Sequence, residues 1–152
     1  MMKRNFILLL CFIILANCGF TPIYYGNKNT DFKIEIIEVL GDRDMNNLVK
    51  TNLKRYSNDE KVDIFKIKIN STYNKKSLAK DTTGKTTDYR IETNFAFEVE
   101  YKTKSQQINI NEKFDYRSID DSIELMKYED TVKQNIANIT VQKFVSQMMR
   151  ME

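Results

Sequence analysis

From Phe32 to Leu40 the chain alternates. Phe32, Ile34 and Ile36 fall on one side and Lys33 and Glu35 on the other, the pattern of a half-buried strand. Ile36-Ile37 breaks the alternation and predicts a bulge or burial on both faces. From Asp42 to Tyr56 the period becomes helical, with Met45, Leu48, Val49, Leu53 and Tyr56 on one side and Asp42 or Asp44 as cap. Val62 to Tyr73 predicts a second strand, Phe65, Ile67 and Ile69 alternating with Lys66, Lys68 and Asn70. Asn74 to Thr87 has no apolar period and carries Lys75, Lys76, Lys80 and Lys85. It reads either as a long hairpin loop or as polar strand extensions around a tip.

Tyr89 to Lys102 is the clearest strand. Ile91, Thr93, Phe95, Phe97, Val99 and Tyr101 share one face, opposite Arg90, Glu92, Asn94, Glu98, Glu100 and Lys102. A turn near Ser105 leads to a fourth strand, where Ile108, Ile110, Phe114 and Tyr116 alternate with Asn109, Asn111, Lys113 and Asp115. Asp121 to Arg150 predicts one long helix, with Asp121 and Glu124 spaced as a capping box. Its stripe is Val132, Ile136, Ile139, Thr140, Phe144 and Met148, widened by Val141 and Val145. Such a helix is about 44 Å long, so it either crosses the whole sheet or breaks near Asp130. One-sided strands need a cover, and two amphipathic helices supply it. The expected fold is α+β: a two-layer sandwich of β-α-β-β-β-α order, with a mostly antiparallel four-stranded sheet covered by two helices, over residues 32–152.

The first 17 residues change the picture. Lys3 and Arg4 precede an apolar run from Phe6 to Ala16, too short and too interrupted by Asn17 for a membrane span. Leu15-Ala16-Asn17-Cys18 then has the form of a lipobox, in which a peptidase cuts before an acylated cysteine. Residues 1–17 are therefore expected to be a lipoprotein signal peptide and 18–31 an acylated tether with Cys18 as the lipid attachment site. Several acyl chains anchor a protein stably where one does not. Gly19, in place of an aspartate, favours the outer membrane over the inner one. The expected place is the outer membrane, facing the periplasm.

Composition narrows the chemistry. Twenty-four basic residues face 21 acidic ones, and the loss of Lys3 and Arg4 leaves the mature chain near neutral, without the basic excess of a nucleic-acid binder. The two cysteines are Cys11, inside the signal, and Cys18. The mature domain thus has no disulfide or thiol chemistry. With no histidine, the commonest general base and metal ligand is absent. No metal, cofactor or enzymatic activity is expected. Ala79 to Thr86 matches a relaxed phosphate-loop pattern, but only Gly84 is a glycine and a strand follows, so nucleotide binding is not expected.

What remains is the basic run from Lys75 to Arg90, a candidate for clustered cations that recognise phosphorylated or acidic sugars. Cys18-Gly19-Phe20-Thr21-Pro22-Ile23-Tyr24, the Thr83–Ile91 segment, the Phe114-Asp115-Tyr116 strand end and the long last helix together resemble the LPS-assembly lipoprotein family, LptE, of the outer-membrane lipopolysaccharide translocon. The resemblance implies a non-enzymatic partner of a large LptD-type outer-membrane β-barrel. In that role the chain plugs and helps assemble the barrel, and binds lipopolysaccharide. Lys80, Lys85 and Arg90 occupy the region to which that family's ligand binding is assigned. Two other roles suit the same signals: an accessory lipoprotein of general barrel assembly, and a periplasmic lipid- or glycan-binding lipoprotein.

Overall fold

The computed structural model describes residues 31–151. The signal peptide, Cys18 and the tether up to residue 30 lie outside the described residues. Strand β1 (Lys33–Gly41) leads to helix α1 (Arg43–Leu53) and a 3-10 turn, Lys54–Tyr56. Strands β2 (Ile64–Lys80), β3 (Thr86–Tyr101) and β4 (Lys104–Arg117) follow, then helix α2 (Ser122–Met148) and a last 3-10 turn, Met149–Met151. The sheet order is β1-β2-β3-β4. β1 runs parallel to β2, and the other two pairings are antiparallel. The expected α+β sandwich and its element order are those observed.

Packing explains the covered face. Phe65, Ile67, Ile69, Ile91, Phe95, Phe97, Val99, Ile108 and Ile110 point from the sheet into the core. Met45, Val49 and Leu53 of α1 and Val132, Ile136, Ala137, Val141, Phe144 and Met148 of α2 close it. The rings of Phe97 and Phe144 stack at 4.1 Å, and Phe65 stacks on Tyr101 at 4.2 Å. Ile139 departs from its expected place in the stripe: it is 43% exposed, and Ala137 is buried instead. At 3.6 residues per turn the buried positions of α2 fill an arc from Val132 round to Val145, and Ile139 falls just outside its edge.

The β1–α1 junction depends on one glycine. Gly41 has φ +91°, and a Cβ there would stand 1.8 Å from the Ser71 carbonyl oxygen of β2. That close approach lets Asp42 N–H donate to Ser71 O at 3.1 Å. The Asp42 carboxylate then caps α1, accepting from Met45 N–H at 2.8 Å. The Ile36-Ile37 break is a bulge: Ile36 pairs with Ile67 and Glu38 with Lys68. Asp121 caps α2 by accepting from Ile123 N–H and Glu124 N–H at 2.8 and 2.9 Å. α2 passes Asp130 without a break.

One boundary differs from the sequence reading, and one open choice is decided. The β3–β4 turn is Lys102-Thr103, earlier than Ser105, and Lys102 adopts φ 53° to make it. Asn74 to Thr87 forms strand extensions, the second of the two readings given for it. Cross-strand partners supply the regularity that the side-chain pattern lacks: Lys76 pairs with Arg90, and Lys75 with Ile91. β2 spans about 55 Å at about 3.3 Å per residue, while α1 spans about 16 Å. The sheet therefore outruns α1, and only the first half of α2 accompanies it toward the hairpin tip.

Candidate functional site

The hairpin tip is built around Asp81. Its carboxylate accepts from Thr83 N–H at 2.8 Å, Thr83 Oγ1 at 2.7 Å and Lys85 N–H at 3.0 Å. These bonds, from the Thr83 hydroxyl first, hold the Asp81 carboxyl below its ordinary pKa. Gly84 supplies the left-handed residue of the turn, with φ +86° and open space beside it. The phosphate-loop resemblance has no structural counterpart, because strand β3 rather than a helix follows the turn.

The three candidate cations do not converge. Lys85 turns to the start of α2 and donates to Asp120 at 2.6 Å, a bond that raises its pKa. Arg90 lies on the sheet face away from the helices and grips Asp115 of β4 through Nε and Nη2, both at 2.7 Å. That fork holds the Asp115 carboxyl below its usual range. Lys80 ends β2 across from Thr86 and has no ion pair among the described residues. Lys76 pairs with Glu92 on the same outer face as Arg90, at 2.5 Å. Lys76, Lys85 and Arg90 of this β2–β3 hairpin, the arm, are thus each already seated on a carboxylate. An anionic ligand there has to displace carboxylates already seated on Lys85 and Arg90.

Among the described residues nothing covers the sheet face opposite the helices. Toward the tip it carries the charge rows just described. Nearer the middle lie two neutral rows, Asn70/Ala96/Asn109 and Thr72/Asn94/Asn111, registered across β2, β3 and β4. Ala96 leaves a shallow trough among Lys68, Asn70, Glu98 and Gln107. No aromatic ring lines that trough. Its surface offers amide and hydroxyl donors and acceptors beside the Lys68–Glu98 ion pair and Glu38.

On the helix side, the sequence reading missed a half-buried cluster. Glu129 of α2 accepts from Tyr116 Oη at 2.5 Å and pairs with Lys75 of β2. The Lys75 ammonium sits 4.2 Å from the Tyr89 ring centre, and Lys133 sits 5.2 Å from that of Tyr73. Tyr89 and Tyr116 stack at 5.6 Å. Burial raises the Glu129 pKa, but the hydrogen bonds from Lys75 and Tyr116 outweigh it and hold the carboxyl below its ordinary value. Burial, then the negative charges of Glu129, Asp42 and Asp130, push Tyr73 up to about 12. The signal was present in the sequence. Tyr73 and Lys75 continue the inward parity of Phe65, Ile67 and Ile69, and Glu129 precedes Val132 and Ile136 on one helical side.

A four-stranded mixed sheet backed by two helices is a fold that solved bacterial lipoproteins also carry. The rare lipoprotein B of Shewanella oneidensis superposes with a TM-score of 0.61 at 14% identity, covering 79% of this chain and 94% of its own. A candidate lipoprotein from Caulobacter crescentus CB15 gives 0.50 at 10% identity, covering 72% and 83%. No protein-family model matches the chain, and no curated protein matches it significantly.

Proposed function

We propose that this chain is a non-enzymatic, lipid-anchored outer-membrane protein that occupies and helps assemble the lipopolysaccharide-export β-barrel. The observation that carries the reading is the uncovered sheet face. Its neutral rows of Asn70, Asn94, Asn109 and Asn111 suit a water-lined barrel interior. The lipoprotein names of the Shewanella and Caulobacter neighbours, and the lipobox at Cys18, support the anchored part. Among the described residues no helix is long and apolar enough to cross a membrane, so the proposed attachment rests on Cys18. Lipopolysaccharide binding is assigned to the arm, with Lys80 as its unpaired cation and Lys85 and Arg90 as cations that exchange protein carboxylates for ligand phosphate.

The test is capture of the tagged chain from detergent-solubilised outer membranes. A large barrel recovered in equal amount, whose yield falls when this chain is removed, is the expected result. Recovery of the general barrel-insertion machinery, or of no barrel, overturns it. Lipopolysaccharide binding that does not weaken in a Lys80→Ala, Lys85→Ala, Arg90→Ala triple variant overturns the ligand assignment separately.

A further inference from the structure

The two edges of the sheet are built differently. β1 is short, bulged at Ile37 and charged at Lys33, Glu35 and Glu38, the devices that keep edge strands from pairing with other chains. β4 has none of them over half its length. Ser105-Gln106-Gln107-Ile108-Asn109-Ile110-Asn111 holds no charge, proline or glycine, and its register with β3 is unbroken. No backbone group among the described residues pairs with its outer edge. An uncharged, regular edge of amide and β-branched residues is a template for another strand.

We infer that β4 pairs antiparallel with β4 of a second copy, about a two-fold axis at Ile108. The charges flanking the neutral stretch select that occupant and register. About Ile108, Lys104 faces Glu112 of the other copy, Ser105 faces Asn111, and Gln107 faces Asn109. Opposite charges close both ends of the ladder and amides pair within it. Lys104 already donates to the Met151 carbonyl at 2.5 Å and Glu112 already accepts from Lys143 at 2.5 Å. An ammonium has three donors and a carboxylate about four acceptor sites, so both keep capacity for the second contact. Lys143 places its side of α2 above β4, and the exposed Ile139 lies one turn away on that side. Pairing the edges brings the two Ile139 side chains to the same side of the joined sheet. The inference does not depend on the barrel reading, since the edge is open in the chain by itself.

The experiment is sedimentation of the full chain in detergent, with two double variants at exposed positions on the uncovered face. Gln107→Lys with Asn109→Lys sets like charges opposite each other twice per dimer, and dimerisation is expected to weaken about tenfold or more. Gln107→Lys with Asn109→Glu sets opposite charges there and is expected to restore the dimer. A monomeric wild type overturns the inference and leaves the edge to a strand of another protein. So does a dimer indifferent to both variants, which is what two acyl anchors sharing one micelle would give. Circular dichroism of each variant separates loss of pairing from loss of fold.

Discussion

The two ends of the sheet are held by different forces. Where both helices cover it, Phe65, Phe97, Phe144, Met45 and Leu53 are fully buried and aromatic rings stack face to face. Toward the hairpin tip, α1 is absent and one helix half covers the strands. There the contact runs through one carboxylate, Glu129, and the cations and phenols around it. Hydrocarbon burial is non-directional and shared among many residues. The arm end relies on a few directional bonds with a common centre, so it is the end that pH and single polar substitutions reach.

The sharpest way to break the contrast starts in the core. Phe97→Ala removes a fully buried ring of β3 that stacks on Phe144 of α2, and is expected to cost about 3–5 kcal/mol in denaturant unfolding. Glu129→Gln leaves Lys75 and Tyr116 without their charged acceptor. The expected cost is about 1–3 kcal/mol, with hydrogen exchange quickening in the β2–β3 arm before the core. Equal exchange at both ends would show that the ends do not differ in this way.

The same carboxylate sets an acid response. Its pKa is depressed in the folded state, so its stabilisation is complete above the ordinary carboxylate range and is lost as pH falls through the depressed value. The difference in Tm between wild type and Glu129→Gln should therefore be largest near neutrality and close in strong acid. Tyr73 shifts the other way. Its pKa rises from 10.0 to about 12, so its share of stability is whole below 10.0 and fades as pH climbs toward about 12. Tyrosinate absorbance titrated against Tyr73→Phe should show one phenol ionising late.

Smaller effects sharpen the comparison. Asp121→Ala removes the cap of α2 and is expected to cost about 1 kcal/mol, read as lower helicity and Tm. Lys85→Ala breaks an exposed pair with Asp120 and should leave the Tm nearly unchanged. A larger loss at Lys85 would mean that the tip is tied to α2 more firmly than an exposed ion pair allows.

Much of this was legible along the chain. The inward faces of β2 and β3 and the Asp121 cap follow from alternation and side-chain chemistry, while the bulge at Ile36-Ile37 and the Asp42 cap were each one of two readings. The arm was legible only as one of two readings, since strands stabilised by cross-strand pairs on a mostly solvated surface need no apolar period. Lys80, Lys85 and Arg90 share the stretch of sequence to which the family resemblance assigns ligand binding. Strand alternation and the turn separate them, sending Arg90 to the open face and Lys85 to the start of α2.

Local pattern determined what each segment becomes, because backbone geometry fixes which side chains share a face and caps act over three or four residues. It also determined that histidine chemistry is unavailable, since the sequence has no histidine, and that residues 31–151 hold no thiol. Tertiary structure alone decided which charges meet. Lys75 and Glu129 are 54 residues apart and Arg90 and Asp115 are 25 apart. Only the register of β2, β3 and β4, and the path of α2 across them, closes those gaps. Ion pairs act at a few ångströms, and sequence distance says nothing about which few.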